Sequence, residues 1–392
     1  MRVSVAEAAL FICFLTANVV RAQPCSPDFD LIPSPNASGN NVLTGVAVIA
    51  DDDIWAVGYS YTSTTHFETL TEHWDGASWT IVPSPSPSSI SQLLAASTTA
   101  TEDVWAVGVQ LPGGHSPSET LIEHWDGSQW TVVPGPNPPG SPRLNAVVAL
   151  AADDAWAVGQ TSARAALAIH WDGIEWTAFP SPPEAGPRLA VTAASSTDVW
   201  SAGPGGTSLF THWDGASWAV VPNAPLGDAV TMGGISAVSS TEVWAVGANQ
   251  VEFCDPESCS AFLFARLARW DGTNWQPGPL PDVYGLWVGL NDISAQSSGS
   301  IWATGFQDSG TVVSHWDGGR WTNAPLLPLG GFRRIAFTPA GNAWAVGSFR
   351  AGTERTLTMF YFLPLTTLWP LPLYRICGSG GLATVNLDVR GR

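Results

Sequence analysis

The sequence predicts an all-β protein, a seven-bladed β-propeller of four-stranded antiparallel blades whose last blade is closed by the N-terminal strand. Two recurring phrases carry this prediction. The first is DVWAVG and its variants, which occurs seven times, at Trp55, Trp105, Trp156, Trp200, Trp244, Trp302 and Trp344. The second is HWDGxxW, which occurs six times, with Arg for His in one copy. Successive tryptophans of the first phrase lie 42 to 58 residues apart, the period expected of a four-stranded blade. These tryptophans number the repeat units one to seven.

Each unit divides into four short apolar runs of the length of β-strands. In unit 2 these runs are QLLAAST, VWAVGVQ, TLIEHWD and QWTVVPG, and turn-forming stretches such as DGS separate them. Alternation along Trp105 to Gly108 places Trp and Val on one face of a strand and Ala and Gly on the other. We therefore expect the indole of one blade to fill the hollow left by small residues of its neighbour.

The two ends of the chain predict how the ring closes. FDLIPSP at 29–35 matches WTIVPSP at 79–85, so we expect the N-terminal strand to complete the last blade. An alternative stays open, because TLTMFYFLPLTTLWPLP at 356–372 also aligns without gaps to 69–85. The predicted organisation is a signal peptide at 1–22, the propeller at 23–362 and a C-terminal tail of uncertain structure at 363–392.

The N-terminal segment indicates export. An apolar run from Ala8 to Val20 follows a charged start and precedes small-residue spacing that ends at Ala22. We expect a secreted protein, extracellular or periplasmic. The apolar stretch near the C-terminus is short and interrupted by prolines, so no membrane span is expected there.

Composition excludes several classes of partner and chemistry. The formal net charge is −18, which makes nucleic acid and anionic membranes poor partners. The chain contains no lysine, which excludes Schiff-base lysines, P-loop lysines and Ser-Lys dyads. Motifs of zinc proteases and α/β-hydrolases are also missing, and no cofactor is expected.

The cysteines suit an oxidising compartment. Cys13 belongs to the signal peptide, and Cys254 and Cys259 are close enough in sequence to clamp a small loop. Cys25 and Cys377 remain, and closure of the ring would bring them together as a second disulfide.

The HWDG phrase is interpreted as structural. Asp75 and Gly76 sit where a turn joins two strands, and their counterparts repeat this position; a ring of calcium sites is the weaker alternative, because hard cations need several oxygen ligands. The histidine preceding the tryptophan is replaced by Arg269 in unit 5, which favours a partly exposed hydrogen-bond donor over a metal ligand or base. The acidic residues on this face of the ring are expected to be solvated.

The paired phrases resemble the propeller repeats of the kelch and galactose-oxidase superfamily, and the WAVG strand also resembles tectonin-type lectin repeats. The resemblance covers residues 29–362 and implies the fold; the copper chemistry of galactose oxidase has no matching His and Tyr pattern here. The WDG turn is similar in placement to the Asp-box of sialidase-like propellers, but it is one residue shorter and lacks the Ser and Thr.

Candidate binding residues lie on the opposite face, where the loops vary. The long connection ANQVEFCDPESCSAFLFA predicts a projecting hairpin with Phe253, Phe262 and Phe264 on its arms, either a partner surface or a flap on its own blade. Tyr284 and Trp287 lie outside the repeated tryptophan set and could stack on sugars or pack within their loop.

Four arginines precede first strands near the predicted mouth of the central channel: Arg143, Arg188, Arg333 and Arg334. Such a cluster suits carboxylate or phosphate groups. The alternative is that they are ordinary solvated or ion-paired side chains.

The sequence thus predicts a monomeric, secreted recognition propeller that binds a glycan or an extracellular protein on the loop face. One alternative is a sialidase-like enzyme in which Arg143, Arg188 and Arg333 hold an acidic sugar. Another is a structural surface protein without a small-molecule site.

Overall fold

The computed structural model describes residues 29–361, apart from 114–116, 162–164, 206–207, 224–225, 228, 255–258, 309, 325–330 and 352. The predicted signal peptide, the Cys25–Cys377 disulfide and the C-terminal tail lie outside the described residues. Every unit contributes β-strands, as the sequence predicts. None of the described segments is a helix long and apolar enough to cross a membrane.

The strands follow the repeat units closely. β1 (Phe29–Ile32) precedes unit 1, which contains β2 (Asn40–Ala50), β3 (Asp53–Ser63), β4 (His66–Trp74) and β5 (Trp79–Ile81). Unit 2 contains β6 (Ile90–Ala100), β7 (Asp103–Leu111), β8 (Glu119–Trp125) and β9 (Trp130–Val132). Unit 3 contains β10 (Arg143–Ala151), β11 (Asp154–Gln160), β12 (Ala166–Trp171) and β13 (Trp176–Phe179). Unit 4 contains β14 (Ala190–Ser195), β15 (Asp198–Ala202), β16 (Phe210–Trp213) and β17 (Trp218–Val221).

The remaining units have the same order. Unit 5 contains β18 (Val230–Ser239), β19 (Glu242–Cys254), β20 (Cys259–Trp270) and β21 (Trp275–Pro277). Unit 6 contains β22 (Val288–Ser297), β23 (Ser300–Gln307), β24 (Gly310–Trp316) and β25 (Trp321–Asn323). Unit 7 contains β26 (Gly331–Phe337), β27 (Ala343–Ala351) and β28 (Thr353–Tyr361).

Each unit pairs its strands in antiparallel sequence order. Units 3 to 6 form separate four-stranded sheets, while units 1 and 2 share one sheet through a single parallel pair between Phe67 and Ile90. In unit 7 the fourth position is taken by β1, which pairs antiparallel with β28 through Phe29 and Tyr361. The predicted pairing of the N-terminal strand with the last unit is therefore confirmed.

The indoles of the WAVG phrase form the contacts between units. Trp55 is buried in a cluster with Ala106 and Leu121 of unit 2, and its ring lies 4.7 Å from Trp125 and 5.2 Å from Trp130. Trp344 makes the equivalent contacts with unit 1. The expected packing of an indole against the small-residue face of the neighbour is thus confirmed, and each buried ring contributes at most about 4 to 6 kcal/mol.

The first strands of all units surround one central cavity of about 260 Å³. They approach closely because small residues line their contacts: a Cβ on Gly45 of unit 1 would lie 2.8 Å from the backbone of Ala95 in unit 2. Hydrogen bonds between neighbouring first strands add to this packing, as where Thr44 donates to the Leu93 carbonyl at 2.7 Å.

The turns divide between two faces. At the HWDG face, the Trp74 indole donates to the carbonyl of Asp51 in the turn between the first two strands. At the opposite face, the link into unit 2 meets the connection between the second and third strands, where the amide of Phe67 donates to Ser89. This second surface is called the loop face below.

Candidate functional site

A cavity of about 380 Å³ opens at the loop-face end of the central channel. Its wall contains Arg143 at the start of β10 and the adjacent Arg333 and Arg334 in β26. Ala248 of β19 and Gly289 of β22 also line it, so the bases of the long hairpin and of the link into unit 6 border the same cavity. The structure thus brings together three of the four predicted arginines.

A β-bulge in the first strand aims one residue of most units into this cavity. The strand register shifts around this residue in every unit except unit 4, and the bulge residues are Thr44, Leu94, Asn145, Gly233, Asn291 and Arg333. All six line the cavity, and Leu189 of unit 4 occupies the same repeat position. Because a bulge redirects a side chain, the same variable position of every repeat unit contributes one residue to the cavity wall. This position stands eleven residues before the WAVG tryptophan, a column in the repeats that our sequence reasoning missed.

The cavity of about 380 Å³ at the loop face, called the upper cavity below, is positively charged although the protein as a whole is acidic. Its described lining residues include no Asp or Glu, and the ion pairs among described residues include none of its three arginines. Burial lowers the pKa of Arg143, and its Nε is buried without a hydrogen-bond partner among the described residues. The guanidinium groups are therefore available to an anionic ligand.

A carboxylate, that of Asp292, lines the central cavity, which Arg334 also lines. Asp292 accepts a hydrogen bond from the amide of Ile335 at 2.8 Å. Burial raises the pKa of Asp292 to about 6, against the opposing influence of Arg334. Asp292 and Arg334 follow the bulge position, where other units carry Gly or Ala, so charged residues at this position are specific to units 6 and 7.

Arg188 does not belong to the cavity, and the expectation that it stands at the channel mouth is wrong. Its side chain is buried, and it donates to the carbonyls of Gly186 at 2.9 Å and of Ser208 and Leu209 at 3.1 Å. Burial lowers the pKa of Arg188 to about 10. The cause is local: unit 4 has short strands, and this guanidinium fixes the connection between its second and third strands.

The link into unit 6 exposes apolar side chains on the loop face. Tyr284 is 71% exposed, Leu286 is 57% exposed and Trp287 is 47% exposed. The backbone here is nevertheless fixed, because Leu263 of β20 donates to the Leu286 carbonyl at 3.0 Å and Asp308 accepts from the Trp287 amide at 3.3 Å. A rigid, exposed aromatic pair is a suitable contact surface.

The long hairpin of β19 and β20 has the predicted disulfide between Cys254 and Cys259. Phe253 near its tip is 58% exposed and lies 5.4 Å from the ring of Phe262. Phe264, further down the arm, is half-buried. The hairpin and the neighbouring link therefore present apolar residues beside the arginine cavity.

On the HWDG face the sequence reasoning missed a set of charge pairs. Asp53 contacts His73 at 2.8 Å, and the same pair recurs in units 2, 3 and 4; in unit 5, Glu242 and Arg269 replace it at 3.0 Å. The expectation that these acidic residues are simply solvated is wrong, because each lies opposite the histidine or arginine of the next strand. The His rings also pack on the WAVG tryptophans, as His73 does on Trp55 at 4.6 Å.

The aspartates of the HWDG turns act structurally, as predicted. Asp75 Oδ1 accepts from the amides of Ala77 and Ser78, and the other five turns repeat this pattern. These bonds lower the pKa of the Asp75 carboxyl. Among the described residues no group of three or more His, Cys, Asp or Glu side chains could hold a metal ion.

Solved structures resemble this one in fold. They include YCF48 bound to D1 peptide, with a TM-score of 0.57 and 17% identity over 86% of this chain and 97% of that chain. The WD40 repeats of RRP9 match with a TM-score of 0.56 and 12% identity over 86% of this chain and 98% of that one. The GH74 xyloglucanase from Xanthomonas campestris matches with a TM-score of 0.55 and 12% identity over 84% of this chain and 55% of that one.

The chain has a β-propeller fold with four-stranded antiparallel blades. At these identities the likeness shows the fold alone. No protein-family profile matches the sequence, and no curated protein matches it significantly.

Proposed function

We propose that this chain is a secreted, monomeric recognition propeller of seven blades whose loop face binds an extracellular protein through a carboxylate-bearing segment. The segment's carboxylate enters the upper cavity, and its apolar side chains contact the long hairpin and the link into unit 6 that carries Tyr284 and Trp287. Seven repeat units, the pairing of β1 with β28 and a central cavity lined by every first strand support the blade number. The apolar N-terminal segment supports secretion, and the repeat phrases support a kelch-like or tectonin-like assignment.

The observation that carries the proposal is the arginine group at the channel mouth. Arg143, Arg333 and Arg334 line one cavity whose described lining contains no carboxylate, although the protein as a whole has a net charge of −18. Guanidinium groups bind carboxylates through charge-assisted hydrogen bonds, and these are strongest where water is partly excluded. A propeller with a similar fold has been solved bound to a peptide, which supports a peptide ligand by analogy.

The surface around the cavity favours a protein ligand over a small anion. Phe253, Tyr284, Leu286 and Trp287 are each between 47% and 71% exposed, on the hairpin and the link whose bases at Ala248 and Gly289 line the cavity. A free phosphate or small sugar acid would leave this apolar surface uncovered, whereas a folded partner would bury it.

The sialidase-like alternative receives less support. It requires Arg188 beside Arg143 and Arg333, but the Arg188 guanidinium is bonded to three carbonyls elsewhere. It also requires two carboxylates near the arginines, and the described lining of the upper cavity contains neither Asp nor Glu. We therefore do not assign a glycosidase reaction.

Peptide binding tests the proposal directly. The probes are fluorescein-labelled peptides of one apolar sequence, ending in either a free carboxylate or an amide, and the readout is fluorescence anisotropy at two salt concentrations. We expect the free carboxylate to bind more tightly, and Arg333→Gln or Arg334→Gln to weaken binding about tenfold or more. Arg320→Gln is the control, because Arg320 is exposed on the HWDG face.

Equal affinity for the carboxylate and amide peptides, or equal loss in the Arg320→Gln control, would refute the arginine site. A second variant, Tyr284→Ala with Trp287→Ala, tests the aromatic surface with the same peptides and on a glycan array. Binding to glycans that this double variant abolishes, without peptide binding, would replace the protein ligand by a glycan. No binding in either assay would favour the structural alternative.

A further inference from the structure

The contact between units 5 and 6 departs from the pattern of the other units. In the contacts made by Trp55, Trp105, Trp156, Trp200 and Trp344, the WAVG indole lies 4.7 to 5.1 Å from the first tryptophan of the next HWDG phrase. Trp244 lies 6.2 Å from Trp316. The second tryptophan of that phrase, Trp321, is half-buried, whereas its counterparts are at most 7% exposed. The Trp321 indole instead donates to the Pro279 carbonyl at 2.7 Å.

One repeat position at this contact also differs in unit 5. Three residues after the second HWDG tryptophan, units 1 to 4 carry Val82, Val133, Phe179 and Val221, and each packs into the contact with the next unit. Unit 5 carries Gly278 at this position. The Leu267 side chain of β20 lies over this glycine and packs in the same cluster as Trp244, while the Gly278 amide donates to the Leu267 carbonyl at 2.9 Å.

The result is a cleft of about 590 Å³ between units 5 and 6, open on the HWDG face. Its apolar walls are the indoles of Trp244 and Trp316 and the Pro277–Pro279 segment. Its volume lies within the roughly 300 to 1,000 Å³ of ordinary ligand pockets. A second hollow of about 540 Å³ shares Pro279 and Trp316 with it and is also lined by Trp321.

The polar groups of the cleft combine donors and acceptors. Arg269 contributes a guanidinium that pairs with Glu242 and lies 5.2 Å from the Trp244 ring, so it is held in place. Asp271 contributes a carboxylate whose Oδ1 accepts from the turn amides, and the exposed Gln276 side chain can both donate and accept. The carboxylates of Glu242 and Asp271 would repel an anionic ligand, and the guanidinium of Arg269 would repel a cationic one. A neutral molecule whose hydroxyl groups both donate and accept matches this set.

We propose that this cleft binds a neutral hexose unit of a glycan, with one face of the sugar ring against Trp316 and its hydroxyl groups bonded to Arg269, Asp271 and Gln276. The apolar C–H face of a pyranose suits an indole, and the ring's hydroxyl edge suits the mixed polar group. This site lies on the face opposite the arginine cavity and uses none of its residues. The hexose site can therefore be confirmed or refuted independently of the peptide site.

The test uses saturation-transfer NMR with methyl glycosides of glucose, galactose, mannose and N-acetylglucosamine; glucuronic acid and glucosamine serve as charged comparisons. We expect at least one neutral glycoside to bind. Gln276→Ala should weaken binding severalfold, whereas Thr131→Ala, the same exposed position in unit 2, should leave it unchanged. Gly278→Val should weaken binding, because Gly278 lines the cleft and a side chain there would displace that of Leu267.

Gly278→Val also requires Leu267 to change rotamer, because a Cβ at Gly278 would meet the end of that side chain. Arg269→His is therefore the parallel variant, since histidine occupies this position in the other units and pairs with the acidic partner in four of them. We expect a weakening of about tenfold with the fold retained. The proposal is overturned if no neutral glycoside binds, if the charged sugars bind better, or if neither Gln276→Ala nor Arg269→His weakens binding.

Discussion

Two buried glutamates make the stability of the ring depend on pH in an unusual direction. Glu72 and Glu123 precede the histidine of the HWDG phrase in units 1 and 2, and both are fully buried. Glu123 lies on the same face of β8 as Leu121 and Trp125, which both pack near the indole of Trp55 in unit 1. Burial raises the pKa of Glu72 to about 8, against a smaller lowering by the Ser34 side chain, and burial also raises the pKa of Glu123.

The magnitude follows from linkage between proton binding and folding. Below the unfolded pKa of 4.5 both states hold the proton, so the carboxyl costs no stability through ionisation. Between pH 4.5 and about 8 the unfolded chain releases its proton while the folded chain retains it, so stability falls as pH rises. At about 1.36 kcal/mol per pKa unit, Glu72 alone destabilises the folded state by at most about 5 kcal/mol above pH 8.

Glu72→Gln and Glu123→Gln test this reasoning, because glutamine keeps the shape of a protonated glutamate and cannot ionise. Urea unfolding followed by tryptophan fluorescence at pH 5, 7 and 9 gives the free energy of unfolding for each variant. Between pH 5 and pH 9 we expect the free energy of unfolding of Glu72→Gln to rise relative to the wild type by at least ~2 kcal/mol, and that of Glu123→Gln to rise in the same direction. Glu68→Gln, on the exposed part of the same strand as Glu72, is the control. A wild type whose stability is unchanged or rises over this range, relative to both variants, would refute the argument.

Two further substitutions test the repeat itself. Gly76→Ala should destabilise the protein by roughly 1 to 3 kcal/mol, because Gly76 has a φ of +89° and a Cβ would lie 2.8 Å from the Asp52 side chain. Gly319→Ala is the control and should destabilise it much less, because the nearest atom to a Cβ there lies 3.6 Å away. Equal thermal unfolding temperatures for the two variants would contradict the turn assignment. Trp156→Ala should cost about 3 to 5 kcal/mol because its indole is 1% exposed, whereas Trp287→Ala should change the free energy of unfolding by less than about 0.5 kcal/mol.

The repeat phrases predicted the architecture because their chemistry is local and regular. A tryptophan followed by a small residue along one strand fixes which face is large and which is small; the small residue is Ala in six units and Ser201 in unit 4. The Asp-Gly turn is equally local, since Asp75 bonds amides only two and three residues away. Such features can be read from the chain because no distant residue is needed to complete them.

The arginine site shows where sequence reasoning stopped. Arg143 and Arg333 were identified from their place before first strands, but the bulge that aims Arg333 inward is visible only in the pairing of β26 with β27. Arg188 occupies a comparable place in the sequence and is buried among carbonyls instead. The difference depends on the length of the neighbouring connections in unit 4, which the arginine's own surroundings in sequence do not indicate.

The sequence by itself determined the strand order and the packing of indoles on small residues, because each depends on a pattern that repeats with the blade. Tertiary structure decided that β1 pairs with β28, which variable residues share a cavity, and that Asp53 and its counterparts are paired with a histidine or arginine. These features join residues from different strands or units. Their distances are set by how neighbouring sheets pack and where bulges fall, and that is a property of the closed assembly of strands.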